Sequence, residues 1–216
     1  MYRLRADVQI EVLSDWEVHA AFGPGVDAAL GLDAAAATKF AGGLAYQDPR
    51  LADAGVRIVT PAGQASGKFT AAGLVATDAA AYDYFRLGLA LPDGGADLVV
   101  DKSLMLESNF EVLHGVDFDK GCFVGQELTA RTHYRGLVKK RLMPVHVDGP
   151  LPSPGTPLML GDKQAGEMRS GLGDQGLAMV RLEQFESIME SGEALSAEGT
   201  HLHPTKPNWA EFKSNP

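Results

Sequence analysis

The stretch Leu142-Met143-Pro144-Val145-His146-Val147 (L-M-P-V-H-V, 142–147) is short, apolar and β-prone, and two similar runs follow it. These are T-P-L-M-L (156–160) and L-A-M-V-R-L (177–182). Pro152-Ser153-Pro154-Gly155, Gly161-Asp162 and Gly171-Leu172-Gly173-Asp174 separate them, and residues of these types make turns. Short strands at this spacing predict a small antiparallel β unit, a barrel or an open sheet, over residues 137–216. Gly171-Leu172-Gly173 lacks the strand-then-helix setting of a phosphate loop and is read as a turn.

Upstream the texture differs, and the expectation for residues 1–136 is α+β. Leu4, Ala6, Val8, Ile10 and Val12 alternate with polar residues and predict a strand. A turn at Ser14-Asp15 would pair that strand with W-E-V-H-A-A-F (16–22) as a hairpin. The alanine-rich span Val26–Phe40 is expected to be helical in part, and G-V-R-I-V-T-P (55–61) to be a strand. Residues 62–76 are small and Gly-rich and read as a loop or an irregular insertion. Asp78 is placed to cap a helix running to Leu89, which Pro92-Asp93-Gly94-Gly95 stops.

Chemistry concentrates in D-K-G-C-F-V-G-Q-E-L-T-A-R (119–131), which holds the single cysteine of the 216 residues. Gln126 to Arg131 suits a helical turn, with Glu127 and Arg131 spaced for an ion pair. Cys122 would then precede a helix N-terminus, with Lys120 and Arg131 as neighbouring cations that favour a thiolate. Gly121 and Gly125 give the backbone freedom around it. The residues alone leave two readings open, a reactive or ligating thiol and a small buried hydrophobe.

From Leu128 to Val147 there is no acidic residue, while Arg131, Arg135, Lys139, Lys140 and Arg141 are present. In a chain of net charge −9 this reversal suggests either a docking face for an anionic partner or a strand edge guarded by cations. His201 and His203 would share a strand face, but two imidazoles without a third ligand make a poor metal site. The acidic balance argues against duplex nucleic acid as a partner. One cysteine, no secretory-type apolar stretch near Met1 and no run long enough to span a bilayer predict a cytoplasmic protein away from membranes.

The segment K-G-C-F-V-G-Q-E-L-T-A-R (120–131) closely resembles the signature of the folate-binding YgfZ family, which runs Lys-Gly-Cys-aromatic-x-Gly-Gln-Glu-x-x-x-Arg. Y-R-L-R-A-D-V, D-P-R-L-A-D-A-G-V-R, G-L-A-M-V-R-L and K-P-N-W-A-E-F extend the resemblance along the chain. The family sits within the glycine-cleavage T-protein (aminomethyltransferase-like) superfamily and has mitochondrial relatives in iron–sulfur cluster assembly.

The resemblance implies a GcvT-like folate-binding region, partial here because the family carries an N-terminal portion before the strand where this chain begins, followed by a β-barrel. It implies tetrahydrofolate or a derivative as cofactor. It also implies a role supporting iron–sulfur enzymes, including one that modifies tRNA, with assembly or client proteins as partners. Cys122, Lys120 and Arg131 take the motif's functional positions; Gly121, Phe123, Gly125, Gln126 and Glu127 complete it; Tyr82 falls where an aromatic residue lines the pterin pocket.

A one-carbon transferase is the alternative. Against it, Gly88 follows Arg86-Leu87 where T-proteins carry an acidic residue, and T-proteins lack the cysteine. A binding module using residues 131–141 is the third reading. A single cysteine supplies one ligand, so a transient cluster at Cys122 needs ligands from elsewhere.

Overall fold

The computed structural model describes residues 7–32, 37–122 and 124–210. The described residues within Met1–Asp48 and Gly55–Ala76 form one compact unit, and those within Pro49–Ala54 and Thr77–Pro216 form another.

The first unit is built on a four-stranded antiparallel sheet of β1 (Trp16–Ala21), β2 (Ala37–Phe40), β3 (Gly43–Gln47) and β4 (Val56–Pro61), in the order β1-β4-β3-β2. In β4, Val56, Ile58 and Thr60 are buried and alternate with partly exposed residues, the period-two signature of a strand with one face on a core. Val26, Leu30 and Leu32 pack on Ala45, Val56 and Ile58, joined by Phe40 and Phe69.

Local expectations are corrected here in two places, and one is met in part. Residues 7–13 form no strand, and Val8, Ile10 and Val12 are exposed; residues 4–6 lie outside the described residues. β1 takes β4 as its partner instead, with Trp16 opposite Pro61. Alternation locates a face but does not name what the face pairs with.

In the alanine-rich span only α1 (Val26–Ala29) is helical, and Ala37–Phe40 is strand β2. Its hairpin to β3 turns on Ala41 and Gly42, both at positive φ (47° and 80°), the conformation that a two-residue type I′ turn requires. Gly43 then lets β3 close on β4, since a β-carbon there would sit 1.9 Å from the carbonyl oxygen of Val59. The Gly-rich stretch 62–76 contains a short helix, α2 (Ser66–Ala71), rather than loop alone.

The second unit holds the closed six-stranded antiparallel barrel expected from the C-terminal pattern. Its strands are β5 (Lys140–Asp148), β6 (Pro157–Leu160), β7 (Lys163–Leu172), β8 (Gln175–Arg181), β9 (Leu195–Ala197) and β10 (Thr200–Pro204), ordered β10-β5-β8-β7-β6-β9. With the helices, the fold class is α+β.

Closure leaves no sheet edge. Met143, Val145, Leu158, Met168, Val180 and Leu202 fill the interior, and Phe185 and Ile188 of α5 (Leu182–Ser191) join that core. Gly171-Leu172-Gly173 ends β7 and enters the two-residue turn to β8, as its composition suggested.

Helix α3 (Ala79–Gly88) begins where the sequence placed it: Asp78 Oδ1 accepts the N–H of Ala81 at 2.9 Å. Its Leu87 packs with Leu142, Leu177 and Met179 on the outside of the barrel. Tyr84 donates to Asp174 Oδ1 at 2.9 Å, and that bond to a carboxylate raises the phenol above its ordinary range, so it stays a neutral donor. Residues 77–136 lie in the same compact unit as the barrel, because α3 and the segment around 104–113 pack and hydrogen-bond onto it.

Candidate functional site

Helix α4 (Glu127–Tyr134) forms directly after the cysteine segment, with Gln126 at its N-cap position. Gly121 and Gly125 adopt φ of 88° and 87°, the left-handed region, so the loop carrying Cys122 bends twice at residues without a β-carbon. Both glycines have open space around the missing side chain, so here conformation rather than crowding calls for glycine.

This loop and α4 enclose a cavity of about 360 Å³. Lys120, Gly121, Val124, Gly125 and Gln126 line it from the motif, Thr129, Ala130 and Tyr134 from α4, and Met105 and Gly115–Phe118 from the preceding segment. At its aromatic edge Phe118 stacks on His133, with ring centroids 3.9 Å apart, and meets Tyr134 edge-on at 6.0 Å. Tyr134 remains 73% exposed and so presents a free ring face.

The structure thus brings together Lys120, Gly121, Gly125 and Gln126, and turns other candidates elsewhere. Cys122 is a free, exposed thiol and is not a lining residue, which removes the buried-hydrophobe reading. Glu127 and Arg131 are exposed on α4, and the expected ion pair between them is not formed among the described residues. In water such a pair contributes little, so nothing holds the two side chains together. Phe123 lies outside the described residues. Tyr82 sits on α3 beside Phe85, 6.4 Å between centroids, and is not part of the cavity wall.

Sequence reasoning passed over Phe118, Thr129, His133 and Tyr134. Thr129 with His133, and Ala130 with Tyr134, are four apart on α4, a spacing that puts each pair on one side of the helix and was legible once the helix was accepted.

The basic run after Arg131 is partly spent inside the fold. Arg141 is 8% exposed, pairs with Glu111 at 2.5 Å and donates to the carbonyl of Leu106; Lys140 pairs with Glu107 at 3.4 Å. Asn109 Nδ2 donates to the carbonyl of Leu142 at 2.8 Å, fastening the same segment to β5. A docking face of five free cations is therefore not what these residues form. His201 and His203 are exposed on β10, and no group of three metal-ligating side chains occurs among the described residues. None of the described helices is long and apolar enough to cross a membrane.

Residues 139–212 match the C-terminal beta-barrel domain of CAF17. The CAF17-type match spans all six barrel strands and α5. Across nearly the whole chain, the human "Iron-sulfur cluster assembly factor IBA57, mitochondrial" is 34% identical over 214 residues, which is 97% of this chain and 59% of that protein. The mouse protein of the same name is 40% identical over 146 residues, covering 65% of this chain and 40% of that protein. A homologue from Aspergillus clavatus is 35% identical over 200 residues, covering 78% and 43%.

The chain therefore spans between 40% and 59% of the length of these relatives. Their names are those of the IBA57 factor rather than of YgfZ. They also correct the expected cytoplasmic location, because the relatives are named mitochondrial. A lone reduced cysteine marks a reducing compartment, and the cytoplasm is only one of those.

Proposed function

We propose that this chain is an accessory factor for iron–sulfur cluster assembly or repair, with the Cys122 thiol as its sulfur ligand and the adjoining cavity as a tetrahydrofolate site. The observation that carries the first part is similarity to iron–sulfur cluster assembly factors along 97% of the chain. It agrees with an exposed thiol on a glycine-hinged loop, open to a second macromolecule.

Since the described residues hold no group of three metal-ligating side chains, any cluster handled here draws its other ligands from a partner or a small thiol. Iron–sulfur enzymes, including those that modify tRNA, are the clients this reading implies. The direct test supplies the chain to cells depleted of their own assembly factor. Recovery of an iron–sulfur enzyme, with enzymes that lack clusters unchanged, supports the proposal; no recovery on a correctly folded chain counts against it.

The folate half is supported by the cavity's size and wall. A volume of about 360 Å³ lies in the range of small-molecule sites and suits a flat bicyclic ring. Tyr134 and Phe118 offer stacking, while the Asp117 carboxylate and the Gln126 amide offer the hydrogen bonds that a pterin edge needs. Bound tetrahydrofolate would supply a reduced pterin able to carry a one-carbon unit. Tyr134→Ala is expected to weaken tetrahydrofolate binding about tenfold, from the loss of one stacking face. Calorimetric titration reads this, and equal affinity in the variant and the parent would remove the cavity as the site.

A further inference from the structure

A second cavity of about 240 Å³ lies between the loop around residues 99–107 and the outside of strands β5, β7 and β8. Three cations line it, Lys102, Lys140 and Arg169, together with Glu107, Glu167 and Ser103. Glu107 pairs with Lys140 at 3.4 Å and Glu167 with Arg169 at 2.6 Å, so each carboxylate already has a cation. Lys102 has no ion-pair partner among the described residues.

Arg169 is held firmly in this wall. Its side chain is 12% exposed, and its Nε is buried with no hydrogen-bond partner. A buried guanidinium N–H left unsatisfied is costly, and groups of this kind are normally paired. The lining is thus a cationic pocket with one charge in excess, in a chain whose net charge is −9. Ser103 is held in place by accepting the N–H of Val99 at 2.8 Å, and its hydroxyl proton remains available to donate.

We infer that this cavity binds a small oxyanion, a phosphate or carboxylate group, through Lys102, Arg169 and Ser103, with Lys140 adding positive potential. The cavity is distinct from the one at the cysteine segment, and the two share no lining residue. Yet one short stretch serves both: Met105 faces the first cavity, and Ser103 and Glu107 the second. An anion here therefore fixes the stretch that walls the proposed folate site.

The test is a titration of the intact chain with inorganic phosphate, and separately with malonate, at ionic strength held constant with chloride, followed by the amide resonances of Ser103 and Glu107. Saturable shifts with either anion are expected, and the tighter of the two identifies the phosphate or the dicarboxylate class. Lys102→Ala, an exposed substitution that leaves the fold alone, is expected to weaken the tighter anion about tenfold, the loss of one charge-assisted contact. Arg169→Gln is expected to abolish saturation, with its unfolding midpoint measured in parallel to certify the fold. Shifts that do not saturate, or that match those of chloride, overturn the inference, and so does an unchanged affinity in Lys102→Ala.

Discussion

Asp97→Ala is expected to remove about 3–5 kcal/mol of unfolding free energy, the largest stability loss that the structure singles out. Asp97 is fully buried and accepts Arg86 Nη1 at 2.6 Å, the Ser170 hydroxyl at 2.5 Å and the Asp93 N–H at 2.7 Å. Arg86, 6% exposed on α3, also donates to the carbonyl of Leu91 at 3.1 Å and reaches Asp83 at 2.6 Å. One guanidinium thereby ties α3 to the loop after it and to β7.

Truncating Asp97 leaves that charge inside the protein with only the half-exposed Asp83 to balance it. Removing both members, as in Arg86→Met with Asp97→Ala, is expected to cost less than Asp97→Ala alone, since no uncompensated charge then remains. Urea unfolding of the two variants reads the difference. A loss below about 1 kcal/mol for Asp97→Ala would mean that water reaches the guanidinium.

Cys122→Ser is expected to do the reverse, leaving stability within about 0.5 kcal/mol of the parent while removing function. The thiol is exposed and packs into no core, so the fold has nothing to lose by exchanging sulfur for oxygen. A hydroxyl is a poor ligand for iron and a poor carrier of sulfur, whereas a thiolate suits both. This separation of stability from activity is what distinguishes a working thiol from an incidental one. Substituting Gly121 or Gly125 is a weaker probe, because a β-carbon at their positive φ strains the backbone and mixes the two effects.

How much of this was legible in the sequence depended on the distance over which each signal acts. Asp78 caps α3 by bonding three residues ahead, and the barrel strands announce themselves by alternation between turns; both are local and both were read. The hairpin of β2 and β3 was not, because Ala37-Thr38-Lys39-Phe40 ends an alanine-rich run that reads as helix, and it is held as strand by its pairing, from Ala37 opposite Tyr46 onward. The stretch before β1 alternates well yet forms no strand in residues 7–13, since no neighbour accepts it.

In the candidate site, the motif Lys120–Arg131 was legible as a string, and α4 followed from it. The far wall of the cavity, Met105 and Gly115–Phe118, comes from a turn-rich segment with no periodicity to read. Arg141 looked like a surface cation for the same reason: its partner, Glu111, lies thirty residues earlier and is brought to it only by the fold.

The central claim is that Cys122 carries the function. The measurement that tests it most directly compares the chain with its Cys122→Ser variant in cells depleted of their own iron–sulfur assembly factor. It reads the activity of an iron–sulfur enzyme at matched levels of folded protein. The account predicts recovery with Cys122 and none with serine; equal recovery by both would contradict it.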